Sequence, residues 1–308
     1  MSLLSKLKPN GKNGFGYGST AEMVTAGISL VGKTILVTGC NSGLGFETMR
    51  VLALRGAHII GTARTAAKAM AATRLVQGLT TPLACELADP QSVRACIASI
   101  KEKGIRLDAI IANAGIMALP KLETAFGYEL QFFTNHVGHF ILVTGLLDTL
   151  TDNARVVILS SSAHQRAPQQ GIQFDNLDGS KGYEAWAFYG QSKIANLLFA
   201  KELSRRFAAT GKTANACHPG VIKTNLGRNI NPLITNTIGP IANALLFKTI
   251  PEGAATQCYA AVNPGAIGIS GAYFADCNVA ECRADANDSA LAKKLWERTE
   301  EIVASLKI

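Results

Sequence analysis

Apolar positions along the chain follow two alternating rhythms. Short strand-like runs over residues 34–37, 58–62, 107–112, 156–159 and 214–217, the first of them β-branched, predict buried strands. Between them, residues 46–54 and 66–79 carry apolar side chains at helical spacing, and residues 187–208 form a longer helical stretch. Punctuation agrees with this reading. Gly56 closes the first helix, and Asp89-Pro90 opens another with an Asp cap and Pro at the first helical position, ended by Gly104. The alternation continues through residues 140–150 without a break, so the pattern predicts an α/β fold: a doubly wound parallel sheet with helices on both faces.

Two stretches interrupt the rhythm. Residues 163–186 are polar and rich in Gln, Gly and Asp, and residues 226–250 are apolar but punctuated by Asn and Pro. Long irregular segments in a compact domain are often lids or binding loops, and both are expected to shape a substrate pocket. The division expected is an N-terminal arm over residues 1–30, whose first eighteen or so read as flexible or, as the alternative, as an organelle-targeting remnant, and one domain over residues 31–308 that includes a C-terminal extension.

Composition narrows the class. With 48% hydrophobic and 17% charged residues there is ample material for a sheet buried on both faces. No window is apolar for the length of a membrane span. The net charge of +8 is spread along the chain, with no basic stripe interleaved with aromatics, which argues against nucleic-acid binding. A phosphate-rich cofactor and weak attraction to anionic lipid both fit that charge. Seven cysteines without a CxxC pair, and no secretory h-region, suit a reducing cytoplasm; Cys277 and Cys282 read as structural and no metal site is expected.

The candidate chemistry lies at strand ends. Thr38-Gly39-Cys40-Asn41-Ser42-Gly43-Leu44-Gly45 joins the first strand to the first helix. A glycine-rich turn there lets backbone approach a ligand closely, and the helix N-terminus can hold a pyrophosphate, so it reads as a dinucleotide site. Asn113-Ala114-Gly115, Ser161 and Pro219-Gly220 follow three further strands, and Tyr189-Gly190-Gln191-Ser192-Lys193 starts the long helix. All fall on the side where open α/β sheets bind ligands. Tyr189 and Lys193, four residues apart, share a helix face, and a nearby ammonium together with the bound cofactor's nicotinamide charge is expected to lower the phenol's pKa and make Tyr189 a general acid or base.

These motifs resemble the short-chain dehydrogenase/reductases: TGxxxGxG as Thr38 to Gly45, NNAG as Ala112 to Gly115, and YxxxK as Tyr189 to Lys193. Asn135-His136-Val137-Gly138-His139-Phe140, Ser160 to His164, Phe174-Asp175-Asn176-Leu177, His218-Pro219-Gly220-Val221 and Pro251-Glu252-Gly253-Ala254 make it most similar to the retinol dehydrogenase and WW-domain oxidoreductase branch. The resemblance runs from about Ser19 to the C-terminus and implies a Rossmann-type sheet. It also implies that Ser161 donates a hydrogen bond to the substrate oxygen, that Lys193 binds the cofactor ribose, and that Asn135 holds a water linking Lys193 to solvent. Cofactor contacts are expected from Gly39, Asn41, Ser42, Gly43, Leu44, Gly45, Arg64, Glu86, Leu87, Asn113, Ala114, Gly115, Tyr189, Lys193, Pro219, Gly220, Val221 and Thr224. Glu86 stands where the family usually has the Asp that contacts adenine. His136, His139, His164 and His218 read as packing and hydrogen-bonding residues.

Residues 61–65 contain no acid to engage a ribose 2′-OH but do contain Arg64, which favours NADP(H) over NAD(H). The reading is an NADP(H)-dependent oxidoreductase interconverting an alcohol and a carbonyl. A cofactor-sensing protein without turnover and a non-redox enzyme of the same fold are the alternatives, and a homo-oligomer is left open. Leu226, Ile230, Leu233, Ile234, Ile238, Ile241, Leu245, Leu246 and Phe247 crowd one segment after Pro219-Gly220. They suggest either an apolar pocket for a lipophilic substrate or a helix pair packed on the core.

Overall fold

The computed structural model describes residues 8–222 and 247–306. Eight strands form one sheet: β1 (Thr34–Thr38), β2 (His58–Ala63), β3 (Thr80–Ala84), β4 (Leu107–Ala112), β7 (Leu150–Leu159), β8 (Thr213–His218), β9 (Tyr273–Ala275) and β10 (Asn278–Val279). β5 (Thr124–Ala125) and β6 (Tyr128–Glu129) make a separate small hairpin. The order is β10-β9-β8-β7-β4-β1-β2-β3, parallel throughout except for the antiparallel β9–β10 pair. Direction of winding reverses between β1 and β4, which opens a crevice at their C-terminal ends.

The helices are α1 (Ala21–Val24), α2 (Gly43–Leu54), α3 (Ala66–Thr73), α4 (Pro90–Glu102), α5 (Gly138–Gly145), α6 (Ala185–Arg206), α7 (Ile250–Val262) and α8 (Ser289–Ser305). Strand alternation divides the core between the sheet's two faces. Leu36 of β1 and Ile110 of β4 pack with Phe140, Leu142, Leu197 and Leu198 from α5 and α6. Ile35, Val37 and Ile111 face the other way, onto Met49 and Leu52 of α2 and Cys258 of α7. α8 lies on α6, with the Trp296 ring 4.8 Å from Phe140 and 5.7 Å from Phe199 between centroids.

Asp89 caps α4 by accepting from Gln91 N at 3.0 Å, with Pro90 at its start, and Gly56 and Gly104 take the left-handed φ of 94° and 60° that ends the preceding helices. Two expectations need correction. The run over 66–79 is not one helix: α3 stops at Thr73, and β3 follows at the sheet edge, where Pro82 can lack an N–H without breaking a central ladder. Nor is the described start of the chain a loose arm. Asn13 Nδ2 donates to the Cys277 carbonyl at 2.8 Å, Asn278 Nδ2 donates to the Phe15 carbonyl at 3.0 Å, and the Phe15 ring sits 5.8 Å from that of Tyr259. Ala21 and Val24 then enter the core.

The irregular segment 163–186 is likewise held down. The Arg283 guanidinium donates to the carbonyls of Ala167 and Pro168, each at 2.6 Å, and of Gln169 at 2.9 Å. Thr224 and residues 226–246 of the apolar segment lie outside the described residues; Phe247 is half-buried. Among the described residues no helix is long and apolar enough to cross a membrane, and no cluster of side chains could hold a metal ion.

Candidate active site

The glycine turn after β1 is built by exclusion of side chains. Gly39 and Gly43 adopt left-handed φ values of 70° and 56°. A Cβ on Gly45 would lie 2.2 Å from the Gly39 carbonyl and 2.6 Å from Asn113 Nδ2, so only glycine lets α2 start this close to β4. Ser42 is the N-cap of α2, yet its side chain makes no capping hydrogen bond. Amide groups at that helix start therefore remain free for an anion, next to exposed Asn41 and buried Leu44. These features fit a bound pyrophosphate.

Opposite the turn, Asn113 Nδ2 donates to the Thr38 carbonyl at 2.8 Å, and the amides of Asn113 and Ala114 both donate to Thr38 Oγ1 at 2.9 Å. Gly115 continues this floor, since a Cβ there would meet Asn135 Oδ1 at 2.9 Å. Arg64 is exposed immediately past the end of β2. A cleft of about 230 Å³ between the turn and α3 is lined by Asn41, Phe46, Lys68, Ala71, Ala72 and Leu75. Lys68 was not foreseen from sequence; its place one turn into the helix after Arg64 was the available signal. Glu86 and Leu87 follow β3, where Glu86 Oε1 accepts from Ala88 N at 3.3 Å and Leu87 is buried against Gly138.

Past β7, the three consecutive serines separate cleanly. Ser160 Oγ is buried and donates to the Lys193 carbonyl at 2.8 Å, while Ser162 is exposed and its amide donates to His218 Nδ1 at 3.2 Å. Ser161 is half-buried, caps the following turn by accepting from Ala163 N at 3.2 Å, and hydrogen-bonds the side chain of Tyr189. On α6, Lys193 Nζ lies 5.6 Å from the centre of the Tyr189 ring and donates to the Leu159 carbonyl at 3.2 Å. Gly220, with φ of 94°, packs against the stem of Lys248, whose amide donates to the exposed Val221 at 2.9 Å.

Asn135 sits in a π-helical segment, Phe133–Val137, that leads into α5. Its Oδ1 accepts from Ile116 N at 2.8 Å, and its Nδ2 donates to the Ile116 carbonyl and to Ser192 Oγ, both at 2.9 Å. Ser192 Oγ in turn donates to the Tyr189 carbonyl at 2.8 Å. Thus Asn135 is stitched to both the floor of the crevice and the helix that carries Tyr189 and Lys193.

Burial dominates the electrostatics of the chain alone. Burial pushes the Tyr189 phenol up to about 12, only partly offset by its hydrogen bond to Ser161. Burial also brings Lys193 down to about 8. In the chain by itself, loss of water around both groups sets these two values. At neutral pH Tyr189 is thus protonated beside a charged Lys193.

A glycine turn open to a dinucleotide, facing a buried tyrosine and lysine and a half-buried serine at the switch point of a doubly wound sheet, defines a nucleotide-dependent oxidoreductase fold. Residues 33–234 match the short chain dehydrogenase family, and the chain belongs to that family. It is 39% identical to "Short-chain dehydrogenase TIC 32 B, chloroplastic" of Brassica napus over 310 aligned residues, covering 96% of each chain. It is also 39% identical to Retinol dehydrogenase 14 of Homo sapiens, covering 90% of this chain and 88% of the relative. A crystal structure of an uncharacterized protein from Mycobacterium paratuberculosis superposes with a TM-score of 0.75 at 34% identity, covering 91% of this chain and 97% of that one. Within the family the chain is retinol dehydrogenase-like.

Proposed function

We propose that the chain is an NADP(H)-dependent oxidoreductase that interconverts a lipophilic aldehyde or ketone and its alcohol, with Tyr189 as general acid and base. The observation that carries this reading is the Ser161–Tyr189 hydrogen bond beside Lys193, at the mouth of a crevice whose other wall is the open start of α2. When bound, the dinucleotide supplies or accepts a hydride at the carbonyl carbon. Ser161 holds the carbonyl oxygen, and Tyr189 gives that oxygen a proton in reduction and removes it in oxidation. Lys193 binds the ribose, favours the phenolate after transfer, and returns a proton along the path that Asn135 holds open.

Arg64 supports NADP(H) over NAD(H), because a guanidinium pairs with a 2′-phosphate and no acid at the end of β2 opposes it. Relatives named retinol dehydrogenase support a lipophilic substrate, as does the apolar composition of residues 226–250. The test is NADPH consumption against a series of aldehydes, ketones and quinones of rising chain length, with Tyr189→Phe alongside. Tyr189→Phe keeps the ring and should retain NADPH binding while losing about 10²–10⁴-fold in turnover. A loss under about tenfold would remove Tyr189 from proton transfer.

A further inference from the structure

Beneath the glycine turn, buried His139 spans two parts of the site. Its Nε2 lies 2.9 Å from Thr38 Oγ1 and its Nδ1 lies 2.9 Å from the main-chain carbonyl of Asn135. We infer that His139 is a positioning residue: a neutral imidazole, protonated on Nδ1, that clamps the Asn135 carbonyl to the cofactor turn at Thr38.

Counting protons fixes the tautomer. A threonine hydroxyl has two acceptor lone pairs and one donor hydrogen. Both lone pairs of Thr38 Oγ1 face amide hydrogens, one from Ala114 and one that Asn113 shares with the Ile111 carbonyl at 2.9 Å. Its hydrogen must therefore point at His139 Nε2, which accepts and carries no proton. Nδ1 then holds the ring hydrogen, and the group it faces at bonding distance among the described residues, a carbonyl oxygen, needs one. Every donor along this run of hydrogen bonds, from Thr38 to Asn135, meets an acceptor. A doubly protonated ring would set a hydrogen against the Thr38 hydroxyl hydrogen, and burial and the Lys193 charge both disfavour it, bringing the imidazole down to about 4.

Such a clamp reaches the reacting groups. From Thr38 the bonds run through His139 to Asn135, from Asn135 Nδ2 to Ser192 Oγ, and from Ser192 to the Tyr189 carbonyl. The clamp engages one lone pair of the Asn135 carbonyl and so orients it. The histidine thereby sets the π-helical turn, and with it the tyrosine helix, at a fixed distance from the bound nucleotide. This role rests on the proposed function, since it positions Asn135 and Tyr189 for that reaction.

Three variants of the full chain and one spectrum test it. His139→Leu, which keeps bulk and loses both bonds, should lower kcat by about ten- to a hundredfold, as expected of a misplaced catalytic turn. The NADPH Kd should change less than about threefold, because Thr38 still accepts from Asn113 and Ala114. His139→Asn puts an amide N–H where Nδ1–H stands and should recover at least about fivefold of the lost kcat. Equal losses in the two variants, or no loss in either, would overturn the clamp. Two-bond ¹H–¹⁵N spectra of the unmutated protein should show a neutral Nδ1–H ring for the signal that disappears in His139→Asn; an Nε2–H ring would overturn the assignment even if His139→Leu fails to fold. Full turnover in Tyr189→Phe would defeat the proposed function, whereas loss there with unaltered His139 variants would defeat the clamp alone.

Discussion

Raising the pH should switch off carbonyl reduction through Lys193, not through Tyr189. Burial holds the phenol near 12 and lowers the ammonium to about 8, so the cation is lost long before the proton donor ionises. The sign follows from the two protonated forms that reduction requires. With a pKa of about 8, roughly ten of eleven Lys193 side chains are charged at pH 7 and roughly one of eleven at pH 9. Reduction by NADPH should therefore fall about tenfold over those two units, with little change below pH 7. The assay is the initial rate of NADPH consumption at saturating cofactor from about pH 6 to 10, repeated with Lys193→Arg. A guanidinium stays charged across that range, so the variant, slower overall, should lose the basic limb. Activity that stays level past about pH 9.5, or a limb unchanged in Lys193→Arg, would refute the assignment.

Three further outcomes are expected. Gly45→Ala places a methyl 2.2 Å from the Gly39 carbonyl and should cost about 1–3 kcal/mol in stability, with at least about tenfold weaker NADPH binding. Wild-type Tm and Kd would show that the turn yields freely. Arg64→Ala should weaken NADPH by about ten- to a hundredfold and NADH little, since a charge-assisted hydrogen bond contributes about 1.5–3 kcal/mol; equal weakening in cofactor titrations would remove Arg64 from recognition of the 2′-phosphate. Finally, burial brings His136 down to about 3, and His139 and His218 to about 4. These depressed values make the unfolded chain bind more protons between pH 6.5 and 4, so stability falls with pH in that window, by about 2 kcal/mol per histidine at pH 5. Urea midpoints that match at pH 7 and pH 5 would contradict it.

What the sequence announces here is local, and what it hides is not. β4 and the Asp89-Pro90 start of α4 stand where the apolar rhythm and the cap chemistry put them, because both signals are complete within a few residues. β3 shows in the sequence only through the resemblance, which ends a third strand near Glu86; its own residues hide it, because Pro82 argues against a strand and only its edge position, a property of the whole sheet, excuses it. The docking of residues 13–24 depends on partners some 240 to 265 residues away, at Asn263, Cys277 and Asn278. At the site, motif spacing marks Ser161, Tyr189 and Lys193, but the pKa order of the last two follows from burial, which no spacing encodes.

The same distinction separates what binds from what aligns. Each strand that ends at the crevice delivers one group on its own: Thr38 from β1, Arg64 from β2, Asn113 from β4 and Ser161 from β7. A parallel sheet fixes the heights of those groups but leaves the crevice at its switch point unbridged by backbone, since the flanking connections depart to opposite faces. Side chains close it instead. Asn113 joins β4 to the turn after β1, Gln257 of α7 donates to Asn113 Oδ1 at 3.1 Å, and His139 joins Thr38 to the π-helical turn. All three lie out of the solvent's reach in whole or part, so each hydrogen bond there costs more to break than one on the surface. Substitutions that slow the reaction without touching substrate are accordingly expected along this seam, and the surface helices that carry the fold's charge should tolerate change.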